Sequence, residues 1–275
     1  MIFHYLKIAF RNLCKHKTQN IISIIGLAVG LLCFCVCIYC SRFVESTDHC
    51  FANHDRIAEL NLYDGKADRY FSGSPVPLAE ELRTWALGET EAISSVTYPR
   101  ERPYYVELSP EKTLPYELET IEIDTCYNKI FTPEMVAGHW KMASQSLNSV
   151  ILSQSMAIKI FGNAESAIGK HMTLMRRLNT SPESTPKTGG IVYTIQAVMK
   201  DIPLNNSLDF MQNIDMLTVN DSEGLLQSPK RYNMTGANTY VLLSPQTTCT
   251  DLEKQFSKRD YTYTLYGEAY TVTAS

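Results

Sequence analysis

The chain has 275 residues and a mass of 31.1 kDa, enough for one large domain or two ordinary ones. A composition of 44% hydrophobic and 20% charged residues excludes a disordered or collagen-like chain. A formal charge of -4 and a pI near 5.9 exclude a general nucleic-acid binder, which needs a basic face against phosphate; no nucleic-acid partner is expected.

That charge is unevenly spread. Five of the 25 basic residues (Lys7, Arg11, Lys15, Lys17 and Arg42) and none of the 29 acids lie in residues 1–44, so the head carries +5 and the remainder -9. Ile2, Phe3, Leu6, Phe10 and Leu13 recur at helical spacing, with Lys7, Arg11 and Lys15 at steps of four. Residues 1–19 therefore read as a cytoplasmic, basic, amphipathic segment whose Lys7, Arg11, Lys15 and Lys17 contact the anionic inner leaflet. The plainer reading is a short basic flank that sets orientation alone.

Ile21–Tyr39 is a run of 19 uncharged residues. At about 1.5 Å per residue it reaches roughly 28 Å, the hydrocarbon thickness of a bilayer, so a single transmembrane helix is expected over residues 20–41. Bases precede it, while Glu45, Asp48 and Asp55 follow. The positive-inside rule then puts the N-terminus in the cytoplasm and residues 42–275 in the periplasm. A cleaved signal peptide is disfavoured by the length of the core and by the lack of a small-residue exit site around Cys35 to Phe43. Gly26 and Gly30 form a G-x-x-x-G pair that lets another membrane helix approach closely, although glycines are common in such helices in any case. Cys33, Cys37 and Cys40 share one helical face, where small polarisable packing residues are favoured over a redox or metal site.

In the outer part, Arg56–Tyr63 alternates as a strand and Pro77–Leu87 presents Leu78, Leu82 and Trp85 on one helical face. Ile93–Tyr98, Tyr104–Leu108 and Leu118–Ile123 read as strands. Near the end of the chain, Thr239–Leu243 is a strand, Thr250 and Glu253 read as a capping box opening a helix to about Lys258, and Tyr261–Leu265 is a strand again. Two strand–helix–strand units separated in sequence can form one α+β sandwich of the ferredoxin-like kind, with helices on one face. The stretch between them is then an inserted lobe. It contains a strand at Ser149–Leu152, a helix capped by Ser153 and stopped by Gly162, and a strand pair Lys170–Met175 with Ile191–Met199 joined by a loop over Asn179–Gly190.

Chemistry is hard to find. The stretch Gly162–Lys170 has six residues between its glycines where a phosphate loop has four, and it follows a helix, so it is rejected. Asp48, His49, Cys50, His54 and Asp55 include plausible metal ligands, but their spacing fits a polar interfacial turn better than any established metal pattern. His139 and His171 lack a nucleophile or carboxylate partner. Outside the span, Cys50, Cys126 and Cys249 are odd in number, leaving room for one disulfide at most. No catalytic, cofactor-binding or metal residues are expected, and the chain does not read as an enzyme.

The landmarks themselves carry more. Leu6–Leu13 (LKIAFRNL), Ile25–Leu31 (IGLAVGL), Ala52–Ile57 (ANHDRI), Asn148–Ser155 (NSVILSQS) with Ile160–Gly162, and Tyr193–Pro203 (YTIQAVMKDIP) resemble, in order, those of bacterial MacB/FtsX-like ABC transporter permeases. The resemblance implies a MacB-like periplasmic core domain built as two porter-like βαβ halves (56–124 and 236–275) interrupted by a mixed α/β lobe (125–235). It also implies an ABC-type ATP-binding subunit as partner, and a homodimer or pairing with another permease in the bacterial inner membrane. The expected role is to couple ATP hydrolysis by that partner to export or periplasmic mechanotransmission. Such permeases continue into three more membrane helices, so a fragment or truncated form is expected. The alternative is a single-pass membrane-anchored ligand-binding or sensor module.

Overall fold

In hydrocarbon every backbone N–H and C=O must be satisfied within the segment, and the uncharged run meets that demand as one helix. In the computed structural model this is α1, Lys17–Glu45, 29 residues long, with every residue beyond Asn20 exposed. It extends the expected 20–41 at both ends. The structure describes residues 5, 15, 17–71, 73–75, 77–109, 112–144, 148–174, 191–203, 205–206, 213–219, 235–259, 261–265 and 268–275. Lys7 and Arg11, with most of the expected amphipathic segment, lie outside the described residues, as does the loop expected at Asn179–Gly190. The described chain forms two compact units, Met1–Asp48 and His49–Ser275.

In the second unit the period-two runs become strands. β1 (Ile57–Asp64) buries Ala58, Leu60 and Leu62 on one face and turns Glu59, Asn61 and Tyr63 to the other. Short strands β2 (Arg69–Phe71) and β3 (Ser74–Pro75) follow, then helix α2 (Leu78–Thr84) and strand β4 (Thr90–Thr97). The end of the chain supplies β12 (Thr235–Leu243), α6 (Cys249–Lys258), β13 (Thr262–Leu265) and β14 (Glu268–Ala274). β12 runs antiparallel between β1 and β4, with Leu60 opposite Thr239 and Ser94 opposite Tyr240. β14 flanks β1 on its other side, with Leu62 opposite Val272. Each parallel pair, β1 with β4 and β12 with β14, thus has a strand of the other unit between its members. The two βαβ units interlock in one sheet, as the sequence leads one to expect.

Both helices lie on the same face. Leu78 and Leu82 of α2 and Leu252 and Phe256 of α6 join Leu60, Val241 and Val272 in one buried cluster. Two local details differ from the sequence reading. The strand that completes the second unit is β14; Tyr261–Leu265 becomes edge strand β13, folded onto β14 with Tyr263 opposite Tyr270. Tyr/Thr alternation marks both runs, but only pairing with Leu62 and Tyr63 decides which one lies beside β1. The capping box of α6 is Thr248 with Asp251, not Thr250 with Glu253. The Thr248 hydroxyl accepts from the Asp251 N–H at 3.3 Å and the Asp251 carboxylate accepts from the Thr248 N–H at 3.2 Å. Hydrogen bonds from Thr248 and Lys254 hold the Asp251 carboxyl down at about 2.

Between the two units, β5 (Arg100–Ser109) and β6 (Lys112–Ile123) make a long hairpin. After it come α3 (Tyr127–Phe131), β7 (Met135–Gly138), α4 (Trp140–Ser144), β8 (Ser149–Ser153), α5 (Gln154–Phe161), β9 (His171–Leu174), β10 (Val192–Met199) and β11 (Met216–Val219). Ser153 caps α5 by accepting from Met156 N–H, and Gly162 ends it at φ 86°. β9 and β10 pair as expected, with Thr173 opposite Val192. The pairings then close on themselves: β6–β5–β9–β10–β8–β11 and back to β6, a ring of six strands with no open edge within it. Tyr104 and Leu118 of the hairpin share its core with Leu152, Met172, Ile195 and Met216. β7 lies so close to β10 that a Cβ on Gly138 would stand 2.2 Å from the Gln196 carbonyl oxygen.

Candidate functional site: the segment leading into the body

A movement reaching the body along the chain enters through His49–Ile57, so the attachment of this segment decides what moves with it. Its anchor is apolar. Phe51 is buried, with its ring edge-on to Phe131 of α3 at 5.2 Å, and Phe131 in turn meets Tyr240 of β12 at 5.1 Å. Burying an aromatic side chain this well is worth about 3–5 kcal/mol against alanine.

The polar contacts follow from what a short helix leaves unsatisfied. α3 ends with orphan carbonyls, and Asn53 donates its Nδ2 to two of them, Lys129 at 3.1 Å and Ile130 at 3.4 Å. The Ala52 N–H donates to the Thr132 hydroxyl, at 3.4 Å, where the chain turns left-handed to stop α3. Arg56 uses its fork of donors: Nη1 reaches Glu91 of β4 at 3.0 Å and the Leu243 carbonyl of β12 at 2.9 Å, while Nη2 donates to Asn53 Oδ1 at 3.2 Å. Four residues, Phe51, Ala52, Asn53 and Arg56, thereby tie the entering chain to α3, β4 and β12 before β1 begins. Replacing Arg56 or Asn53 with alanine is expected to cost about 1–2 kcal/mol each and less than the sum together, since they share a hydrogen bond. Urea unfolding of the two single variants and the double variant measures this.

Within the same turn, the His54 ring lies 4.6 Å from the ring of His49, its Nδ1 3.1 Å from the Phe51 carbonyl and its Nε2 3.2 Å from Asp55. Among the described residues no three His, Cys, Asp or Glu side chains converge to hold a metal. Cys126 and Cys249 are free thiols. Gly26 and Gly30 lie on α1 with nothing within 4 Å of either added Cβ, and Lys15 and Lys17 are exposed. His139 and His171 stand apart, the latter with its Nδ1 3.2 Å from the Thr194 hydroxyl.

A second constellation had no signal in the sequence. Asp124, 5% exposed, accepts from Ser94 Oγ at 2.8 Å, from the N–H groups of Ser95 at 2.8 Å and Cys126 at 2.9 Å, and from Arg83 Nη2. Arg83 also donates Nε and Nη2 to the Ile93 carbonyl at 2.9 and 2.7 Å, and Nη1 to Glu80 at 2.6 Å. It binds α2, β4 and the start of α3 into one piece with the entering segment.

The comparisons agree with this architecture. A domain of a putative permease protein from Porphyromonas gingivalis superposes with a TM-score of 0.59 at 20% identity, covering 82% of this chain and 92% of that one. The periplasmic region of MacB from Actinobacillus actinomycetemcomitans superposes with a TM-score of 0.50 at 13% identity, covering 78% and 86%. No curated protein matches the sequence. The family model described as the MacB-like periplasmic core domain matches residues 21–259, helix and body in one stretch, and the chain belongs to that family.

Proposed function

We propose that the chain is the membrane-anchored periplasmic part of an ABC transporter permease, in which ATP hydrolysis by a partner ATP-binding subunit drives export or mechanotransmission on the periplasmic side. The observation that carries this reading is the family match spanning both the apolar helix and the body. The attachment of Phe51, Asn53 and Arg56 supports it, because a segment fixed to three elements passes motion onward instead of absorbing it.

In this reading Lys7, Arg11, Lys15 and Lys17 hold the N-terminus at the cytoplasmic leaflet. Gly26 and Gly30 pack against a second membrane helix, in a homodimer or with another permease. Residues 56–124 and 236–275 are the porter-like halves, and residues 125–235 the inserted lobe. The chain itself performs no catalysis.

Orientation is tested first. A reporter active only in the periplasm, fused after Ser275, is expected to work, and one active only in the cytoplasm to stay silent; the reverse overturns the topology. Coupling is tested in the native host. Arg56→Ala is expected to reproduce the phenotype of a strain whose partner ATPase cannot hydrolyse ATP, while the variant remains folded in the membrane. A deletion phenotype indifferent to every ATPase in the host favours the single-pass binding or sensor module instead.

A further inference from the structure

Glu59 sits in the middle of β1 on the face turned away from α2 and α6, directly opposite Tyr240 of β12. Its carboxylate is half-buried and takes neither a hydrogen bond nor a cation among the described residues; burial alone pushes it above its ordinary 4.5. Two phenols flank it. Burial first, and then the Glu59 charge, push Tyr98 and Tyr240 above the ordinary tyrosine value. Two residues along the same face of β12, Asn238 is only 6% exposed; its Nδ2 donates to the Tyr240 hydroxyl at 3.1 Å, and its Oδ1 has no partner. Tyr98 is held in place from behind, since a Cβ on Gly73, at φ +97°, would lie 1.7 Å from its hydroxyl oxygen.

An unpaired carboxylate and an orphan buried amide oxygen on one sheet face are each unfavourable in a folded protein, and both lack the same thing, a donor. The chemistry that supplies it is narrow. An anion is repelled by Glu59, and one carboxylate is too few for a calcium or magnesium site. A neutral donor leaves the charge uncompensated. An alkylammonium brings one positive charge and three N–H donors, and its positive head and methylene stem suit the face of the partly exposed Tyr98 ring, while Tyr240, 1% exposed, backs the site through its hydrogen bond with Asn238. We propose that Glu59, Tyr98, Asn238 and Tyr240 form a binding site for a protonated primary amine, carried either by a small diamine or by a lysine side chain. The proposal does not rest on the transport reading.

Linkage gives the carboxylate a pH signature through burial, and the effect of added amine on that signature is the readout that a structural role does not share. With its folded carboxyl raised, Glu59 favours the folded state fully below pH 4.5 and loses that contribution as pH climbs through the folded value. Tyr98 and Tyr240, the phenols beside it, stay neutral throughout that range, and Ser275, which exchanges backbone hydrogen bonds with Glu59 on the other side, is common to the wild type and the variant. Glu59→Gln is therefore expected to unfold at a higher temperature than the wild type at pH 7, with the gap closing below pH 4.5. A bound amine favours the charged carboxylate, so it raises the wild-type midpoint at pH 7 and not at pH 4.

The test uses the full chain in phosphatidylcholine nanodiscs, with cadaverine and a single-lysine peptide as probes and 1,5-pentanediol and the acetyl-lysine peptide as neutral controls. Saturable binding to the wild type, weakened roughly tenfold or more in Glu59→Gln and partly retained in Glu59→Asp, supports the site. Cadaverine binding identifies a small amine as sufficient; binding of the lysine peptide alone assigns the site to a protein partner. Equal binding to wild type and Glu59→Gln overturns the proposal, as does the absence of saturable binding by either probe up to about 10 mM, an affinity below the millimolar range of weak specific contacts.

Discussion

Replacing Asp124 with alanine is expected to cost about 3–5 kcal/mol, among the largest effects of any single substitution in the body. The carboxylate is 5% exposed and satisfies four donors at once, three of them neutral and one the Arg83 guanidinium. Removing it leaves a half-buried cation, two backbone N–H groups and a serine hydroxyl without their acceptor. Asparagine keeps the volume and part of the hydrogen bonding, so Asp124→Asn is expected to lose less than Asp124→Ala but far more than a surface change. Urea unfolding followed by the fluorescence of Trp85 and Trp140 reads the difference. A loss below about 1 kcal/mol for Asp124→Ala means that the pair is open to water and that the linkage of α2, β4 and α3 is weaker than the distances imply.

The sequence announces most of this frame and almost nothing of its fastening. The apolar helix is legible because hydrocarbon imposes one length and one composition on whatever crosses it. β1 is legible because Ala58, Leu60 and Leu62 are buried against the helices while Glu59, Asn61 and Tyr63 are only partly covered, which writes itself as alternation; β4 and β12 are buried on both faces and are legible from their apolar and β-branched residues instead. β11 is not: Met216 faces the core of the six-stranded ring while Leu217 and Val219 face the cluster around Phe131, so all four of its residues are buried and no period survives. Helices α3 and α4, at five residues each, are too short to show a helical period at all. Asp124 looks like the polar end of a strand, because its partners Arg83 and Ser94 lie 41 and 30 residues away. Closure of the ring is invisible for the same reason, since pairing of β11 with β6 joins Leu217 to Ile121 across most of the insert. The motif Ala52–Ile57 is visible as a family landmark, yet only the structure shows why an asparagine and an arginine three apart serve it: one satisfies the end of α3 and the other the ends of β4 and β12.

Deleting Thr239–Ser275 is expected to unfold the N-terminal half of the body as well as removing the end of the chain. Most of β12 is lost, and β12 is the strand between β1 and β4. Without it neither neighbour keeps its hydrogen-bonded ladder on that side, and β1 loses β14 on the other. The cluster holding Leu60, Leu78 and Leu82 also loses Val241, Leu243, Leu252, Phe256 and Val272. Large core side chains are worth about 2–5 kcal/mol each, so losing five removes about 10–25 kcal/mol, as much as or more than the roughly 5–15 kcal/mol by which a domain is stable. The apolar face of α2 should then bind a hydrophobic dye, and protease should cut within residues 57–97 at low enzyme concentrations that leave the complete chain intact. The ring of β5, β6, β8, β9, β10 and β11 contains no strand from the deleted part, so it is the region expected to resist longest, although it loses Tyr240 and Leu242 from the cluster on its flank. If β1 and β4 in the shortened chain resist protease as they do in the complete one, the two βαβ units do not share a core, and the interlocked sheet is not what stabilises this body.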